Sequence, residues 1–141
     1  MIPQHDFLAL TRRHEWQLEP FAFDLANGTR VSVWDTGVLC LEPMGESPGG
    51  RKDIVLSCGI HGNETAPIEI CNQLLTRLLS GEIQACHRVL FLFGNPAAMN
   101  QGAREVEENM TLPLFFVERE SVRNLTAKYE TKVPASYLEL T

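Results

Sequence analysis

Residues Asp53 to Cys58 form a short, nearly uninterrupted apolar run, and a few residues later the pattern switches to that of a helix. Such a run predicts a strand buried on both faces, as in parallel sheets. From Glu64 to Leu79, Ile68, Cys71, Leu75, Leu78 and Leu79 recur on one side of a helix. Asn63 is the expected N-cap, and Pro67 falls in the first turn, where a missing N–H costs least. Gly81 is placed to close the helix as its C′ residue. Arg88 to Phe93 reads as a second apolar strand. Two strands joined by a helix of this length predict a parallel βαβ unit over residues 53–94, with a right-handed crossover.

Upstream, from Pro20, a period of two takes over. Phe21, Phe23 and Leu25 alternate with Ala22 and Asp24, and Asn27–Gly28 is a strong hairpin signal. Arg30 to Trp34 alternate on the far side, and Asp35–Thr36–Gly37 turns again into Val38 to Leu41. These residues predict a small antiparallel meander over 20–42 that covers an edge of the main sheet. Residues 43–52 hold two prolines and three glycines and read as a surface connection. A short helix is expected over Asp6 to Arg13. Asn95–Pro96 opens a helical turn through Ala97 to Asn100 that ends near Gly102. Past Met110, Leu112 to Val117 reads as an edge strand and Glu118 to Lys128 as a short amphipathic helix. The fold class is therefore α/β, in one domain's length of chain.

The net charge of −6, from 12 basic and 18 acidic side chains, argues against nucleic acid as a partner. No apolar run approaches a membrane span, and residues 1–16 lack the charged and apolar regions of a secretion signal, so a cytoplasmic protein is expected. Cys40, Cys58, Cys71 and Cys86 include no Cys-x-x-Cys pair. Neither a zinc knuckle nor a disulfide framework is predicted, and buried, inert thiols are expected at Cys58 and Cys71.

The chemistry concentrates on the turn after the first core strand. There His61 and Glu64 flank Gly62 and Asn63 at the C-terminal edge of the sheet, where open α/β sheets place ligand sites. An imidazole and a carboxylate three residues apart can converge on one cation, and both suit zinc. An ordinary βα loop with an exposed histidine and glutamate has the same spacing. A catalytic zinc takes three protein ligands and keeps one open position. His5, His14 and His87 are the remaining histidines, and none is placed to complete the set. A helix-length crossover separates His87 from His61, which predicts His87 at the opposite end of the sheet.

The longer string Gly59–Ile60–His61–Gly62–Asn63–Glu64–Thr65–Ala66–Pro67–Ile68–Glu69 resembles the zinc motif of the succinylglutamate desuccinylase/aspartoacylase family, nearest its desuccinylase branch. The resemblance continues through Phe93–Gly94–Asn95–Pro96–Ala97–Ala98 and on to Gly102–Ala103–Arg104. It implies a zinc-carboxypeptidase-like mixed sheet, present as its N-terminal part, in which the meander leads into the βαβ unit. It also implies one Zn2+ per site held by His61, Glu64 and a later histidine, with a later glutamate as general base. Arg104, by the same resemblance, polarises the amide carbonyl or holds a substrate carboxylate. Without it, Arg104 is equally a solvated arginine beside Glu105, Glu107 and Glu108. The implied reaction is hydrolysis of N-succinyl-L-glutamate to succinate and glutamate in arginine catabolism. An aspartoacylase- or carboxypeptidase-like amide hydrolase, or a non-catalytic fragment with a partial metal site, are the alternatives.

After Asn109–Met110 the family would place an Asn-Arg pair, and Thr111–Leu112 stand there instead. The expected division is a family domain over 1–110 and a divergent tail over 111–141. A truncated or frame-altered form of a longer enzyme, or a diverged stub, would give this pattern. The closeness of the match up to Met110 points to the first.

Overall fold

The alternation from Phe21 and the turn at Asn27–Gly28 fold β1 (Phe21–Asp24) back onto β2 (Arg30–Asp35), with Phe21 opposite Val33 and Asp24 opposite Arg30. A second turn at Thr36–Gly37 returns the chain as β3 (Val38–Glu42), antiparallel to β2. In this computed structural model, which describes residues 1–47 and 49–106, the meander belongs to the main sheet itself. β4 (Asp53–Cys58) leads through α2 (Thr65–Leu79) to β5 (Arg88–Phe93), and β4 and β5 pair in parallel. β3 then pairs antiparallel with β5, from Val38 opposite Leu92 to Leu41 opposite Val89, so the strand order is β1-β2-β3-β5-β4. This is the mixed α/β sheet that the sequence predicts.

The core follows from which faces are apolar. Val31, Val33, Leu39, Leu41, Phe91 and Phe93 of the sheet pack in one cluster with Ile68, Leu75, Leu78 and Leu79 of α2. α1 (Phe7–Arg13) joins the same cluster through Phe7 and Leu8. Asp6 caps it, its carboxylate accepting from the Ala9 N–H at 3.0 Å. Phe7 is fully buried, its ring tilted 53° against Phe93 with centroids 6.0 Å apart. Thr11 ties α1 to the β2–β3 turn: its hydroxyl accepts from the Gly37 N–H, and its carbonyl accepts from the Thr36 hydroxyl, each at 3.2 Å. A side chain at Gly37 would overlap the Phe93 carbonyl, so glycine is required for that turn to reach β5.

Two expectations change. The pattern in Asp53 to Cys58 predicts burial on both faces. Among the described residues β4 has one sheet neighbour, Asp53 is exposed, and Ile54 to Ser57 are half-buried. An apolar run reports hydrophobicity and not the number of flanking strands, which is why the two differ. The N-cap of α2 is Glu64 and not Asn63, and Glu64 makes no side-chain capping bond, because its carboxylate is turned to His61 instead. Ser80 is the C-cap, and Gly81, with φ of +81°, closes the helix by donating its N–H to the Leu78 carbonyl. The expected strand over 112–117, the helix over 118–128 and the boundary after Met110 lie outside the described residues.

Candidate functional site

Parallel pairing of β4 with β5 sets their C-terminal ends side by side, Cys58 opposite Phe93. The ladder does not stop where the strands do. Gly94 N–H donates to the Cys58 carbonyl at 2.8 Å, and Asn95 N–H to the Gly59 carbonyl at 2.9 Å. The two segments that leave the sheet edge therefore stay together, one carrying His61 and Glu64 and the other leading into α3 (Pro96–Gln101). Asn95 is buried, and its side-chain oxygen accepts from the Ala98 N–H at 3.1 Å, which starts α3 at the sheet edge. Gly102 ends it in the left-handed conformation. Asn95→Ala is expected to cost about 1 kcal/mol, toward 2 because the cap is buried, read as a lowered urea midpoint with unchanged slope.

Gly62 locks the His61–Glu64 loop to this second segment. Its N–H donates to the Arg104 carbonyl at 3.2 Å, and a Cβ there would overlap the Ala98 carbonyl and the Met99 nitrogen. Main chain meets main chain at that point, so Arg104 follows α3 directly onto the loop that holds His61. Arg104 itself is exposed.

The His61 side chain is 11% exposed and that of Glu64 57%. The imidazole Nδ1 lies 3.0 Å from Glu64 Oε1. A tetrahedral zinc with bonds of about 2.0–2.1 Å separates two of its donor atoms by roughly 3.3 Å. The observed pair is within a few tenths of that edge, so these two side chains fit two adjacent corners of such a site. Among the described residues no third His, Cys, Asp or Glu joins them. Lys52 N–H donates to His87 Nδ1 at 3.2 Å at the N-terminal end of the β4–β5 pair, the far end from His61, as the crossover predicts. His5 ends a 3-10 turn over Pro3–His5, and His14 lines an open cleft with Arg12, Trp16 and Asn100. The structure thus brings His61 and Glu64 together by side chain, and Arg104 to them by backbone.

Spacing alone missed one participant. Gly62 reads in sequence as a turn former, and nothing in its neighbours signals the backbone of Ala98.

A mixed five-stranded sheet of this order, with a His-x-x-Glu loop at its C-terminal edge, defines an α/β domain. A family profile described as the succinylglutamate desuccinylase/aspartoacylase catalytic domain matches residues 50–127. The chain belongs to that family. The succinylglutamate desuccinylases of Shewanella pealeana and of Idiomarina loihiensis are each 55% identical to it over 106 residues, which is 74% of this chain and 30% of theirs. The chain thus spans about a third of the length of these relatives. Among solved structures, the succinylglutamate desuccinylase of Chromobacterium violaceum superposes with a TM-score of 0.68 at 27% identity, covering 92% of this chain and 43% of that one. The Vibrio parahaemolyticus protein of the same name gives 0.67 at 26% identity, covering 89% and 44%. No helix among the described residues is long and apolar enough to cross a membrane.

Proposed function

We propose that the chain carries the metal-loop portion of a zinc-dependent hydrolase that cleaves the amide bond of N-succinyl-L-glutamate to succinate and L-glutamate, a step of arginine catabolism. The observation that carries this reading is the pairing of His61 Nδ1 with Glu64 Oε1 at 3.0 Å on the sheet edge, joined through Gly62 to Arg104. His61 and Glu64 hold the zinc. When bound, a zinc ion supplies Lewis-acid chemistry, activating water and polarising a carbonyl. Arg104 is exposed beside the loop, and its fixed positive charge and forked donors suit a substrate carboxylate or a developing oxyanion. Glu64→Gln is expected to weaken zinc binding while leaving the turn in place.

The four histidines of the chain are His5, His14, His61 and His87, and a complete zinc site needs one more ligand than the described residues bring together. Turnover by the 141-residue chain alone is therefore not expected. Hydrolysis belongs to a protein that adds the missing ligand and base. Four free cysteines fit a reducing cytoplasm.

The test is a chimera. Residues 1–106 of this chain replace the corresponding segment of the Shewanella pealeana relative, and succinate release from N-succinyl-L-glutamate is followed with zinc present and with zinc stripped by a chelator. Zinc-dependent release is the expected result. A folded chimera that releases no succinate, or releases it equally well without metal, overturns the reading.

A further inference from the structure

The cleft at the end of α1 is a second place where the chain gathers chemistry. Its volume is about 600 Å³, and Arg12, Arg13, His14, Glu15, Trp16 and Asn100 are among the residues that line it. Small-molecule sites run to roughly 300–1,000 Å³. The wall is tied in place. Asn100 of α3 donates through Nδ2 to the Arg12 carbonyl at 2.8 Å and to the Glu15 carboxylate at 2.7 Å. The Leu18 N–H donates to the Asp35 carboxylate at 3.1 Å, so Trp16 rides on a segment held on both sides. Its ring is 60% exposed. On a chain of net charge −6, the cleft collects two arginines side by side. Cations at a helix C-terminus ordinarily serve its bare carbonyls. Here those carbonyls have other donors: that of Thr11 accepts from the Thr36 hydroxyl and the His14 N–H, and that of Arg12 from Asn100. Among the described residues, neither the Arg12 nor the Arg13 guanidinium has a hydrogen bond or an ion pair. Two unspent cations thus stand beside an anchored, open aromatic face.

We propose that this cleft binds a small anion carrying a flat heteroaromatic ring, of the class of nucleoside monophosphates. The two guanidinium forks take the phosphate oxygens, a pairing that is both charge-assisted and directional. The base stacks on Trp16. Glu15 has one carboxylate oxygen engaged with Asn100, and the other accepts from a ribose hydroxyl or a base N–H. Its negative charge also repels the phosphate, which fixes the orientation of the guest with its anionic end at the arginines. α3 touches this cleft through the Asn100 side chain and the His61–Glu64 loop through the main chain of Ala98 and Met99. The two sites are therefore separate, and the cleft takes its guest whether or not the loop holds a metal.

The experiment is a calorimetric titration of the 141-residue chain with adenosine monophosphate, with adenosine and with inorganic phosphate, at low and at high salt. Stacking tolerates any base, so the adenine nucleotide stands for its class. Adenosine monophosphate is expected to bind at one site, about tenfold or more tighter than either of its parts, and more weakly as salt rises. Arg12→Ala and Arg13→Ala should each weaken it about tenfold and flatten that salt dependence. Trp16→Ala should weaken adenosine monophosphate and adenosine about tenfold while leaving phosphate unchanged. Asn100 holds the Arg12 main chain, which alanine retains, so the variants keep the fold, and an unchanged urea midpoint checks it. Three results overturn the proposal. They are no binding of adenosine monophosphate at millimolar concentration, an affinity indifferent to both arginines, and a Trp16→Ala variant that binds as the parent does.

Discussion

His61→Ala in the chimera with the Shewanella pealeana relative is expected to lower kcat/KM by about a thousandfold or more, roughly 4 kcal/mol of lost transition-state stabilisation. The fold should scarcely notice. The turn that presents His61 is held by main-chain bonds, including the Gly62–Arg104 bond and a Glu64 N–H donated to the His61 carbonyl at 3.2 Å, and alanine keeps all of them. Glu64 loses its partner, but at 57% exposed it remains solvated, so no buried charge is stranded. A stability change of about 1 kcal/mol or less is expected from the urea midpoint. A steep loss of activity with little loss of stability separates a ligand from a polar group on an ordinary loop. Retention of a tenth of the turnover would remove His61 from the metal site.

Gly62→Ala should behave in the opposite way, damaging fold and site together. The φ of Gly62 lies outside the left-handed range, so its backbone conformation is open to other residues. The obstacle is the main chain of Ala98 and Met99, which occupies the place a Cβ would take. A flexible side chain could swing aside, but a backbone inside α3 cannot, and no substitution at position 98 relieves the overlap. The segment carrying Arg104 must separate from the His61–Glu64 loop, with loss of the Gly62–Arg104 hydrogen bond. Overpacking of this kind costs about 3 kcal/mol at the upper end of its usual range. Gly81→Ala makes the comparison. Gly81 has φ of +81° and open space around it, so the cost there is backbone strain alone, about 1–2 kcal/mol. Equal midpoints for the two variants in urea would show that the α3 contact is not the constraint at Gly62.

Much of the frame was legible because its signals are local. The Asn27–Gly28 turn, the alternation around Val31 and Val33, and the helical spacing from Ile68 to Leu79 each follow from a few neighbouring residues. The parallel pairing of β4 and β5 followed from the length of the crossover between them, which also put His87 at the wrong end of the sheet to help His61. Where the reading failed, a second segment decided. Asn63 has the better capping side chain, but Glu64 occupies the cap position and makes no capping bond, its carboxylate being engaged with His61. Asp53 to Cys58 looks like a central strand, and among the described residues it has one neighbour. The contact of Gly62 with Ala98 depends on how α3 seats on the sheet, which no local pattern encodes.

β3 occupies an unusual position in time as well as in space. Its bonds to β2 close over a short turn, whereas its bonds to β5 join Leu41 to Val89, across the whole of β4 and α2. Closing the shorter loop loses less chain entropy, so the meander should assemble first and offer the free edge of β3 as a template for β5. Core truncations at the β2–β3 contact, such as Val31→Ala, are then expected to slow refolding. Leu92→Ala, on the other side of β3, should chiefly speed unfolding. Stopped-flow chevrons on the two variants would reveal that order, and a reversal would put the βαβ unit first.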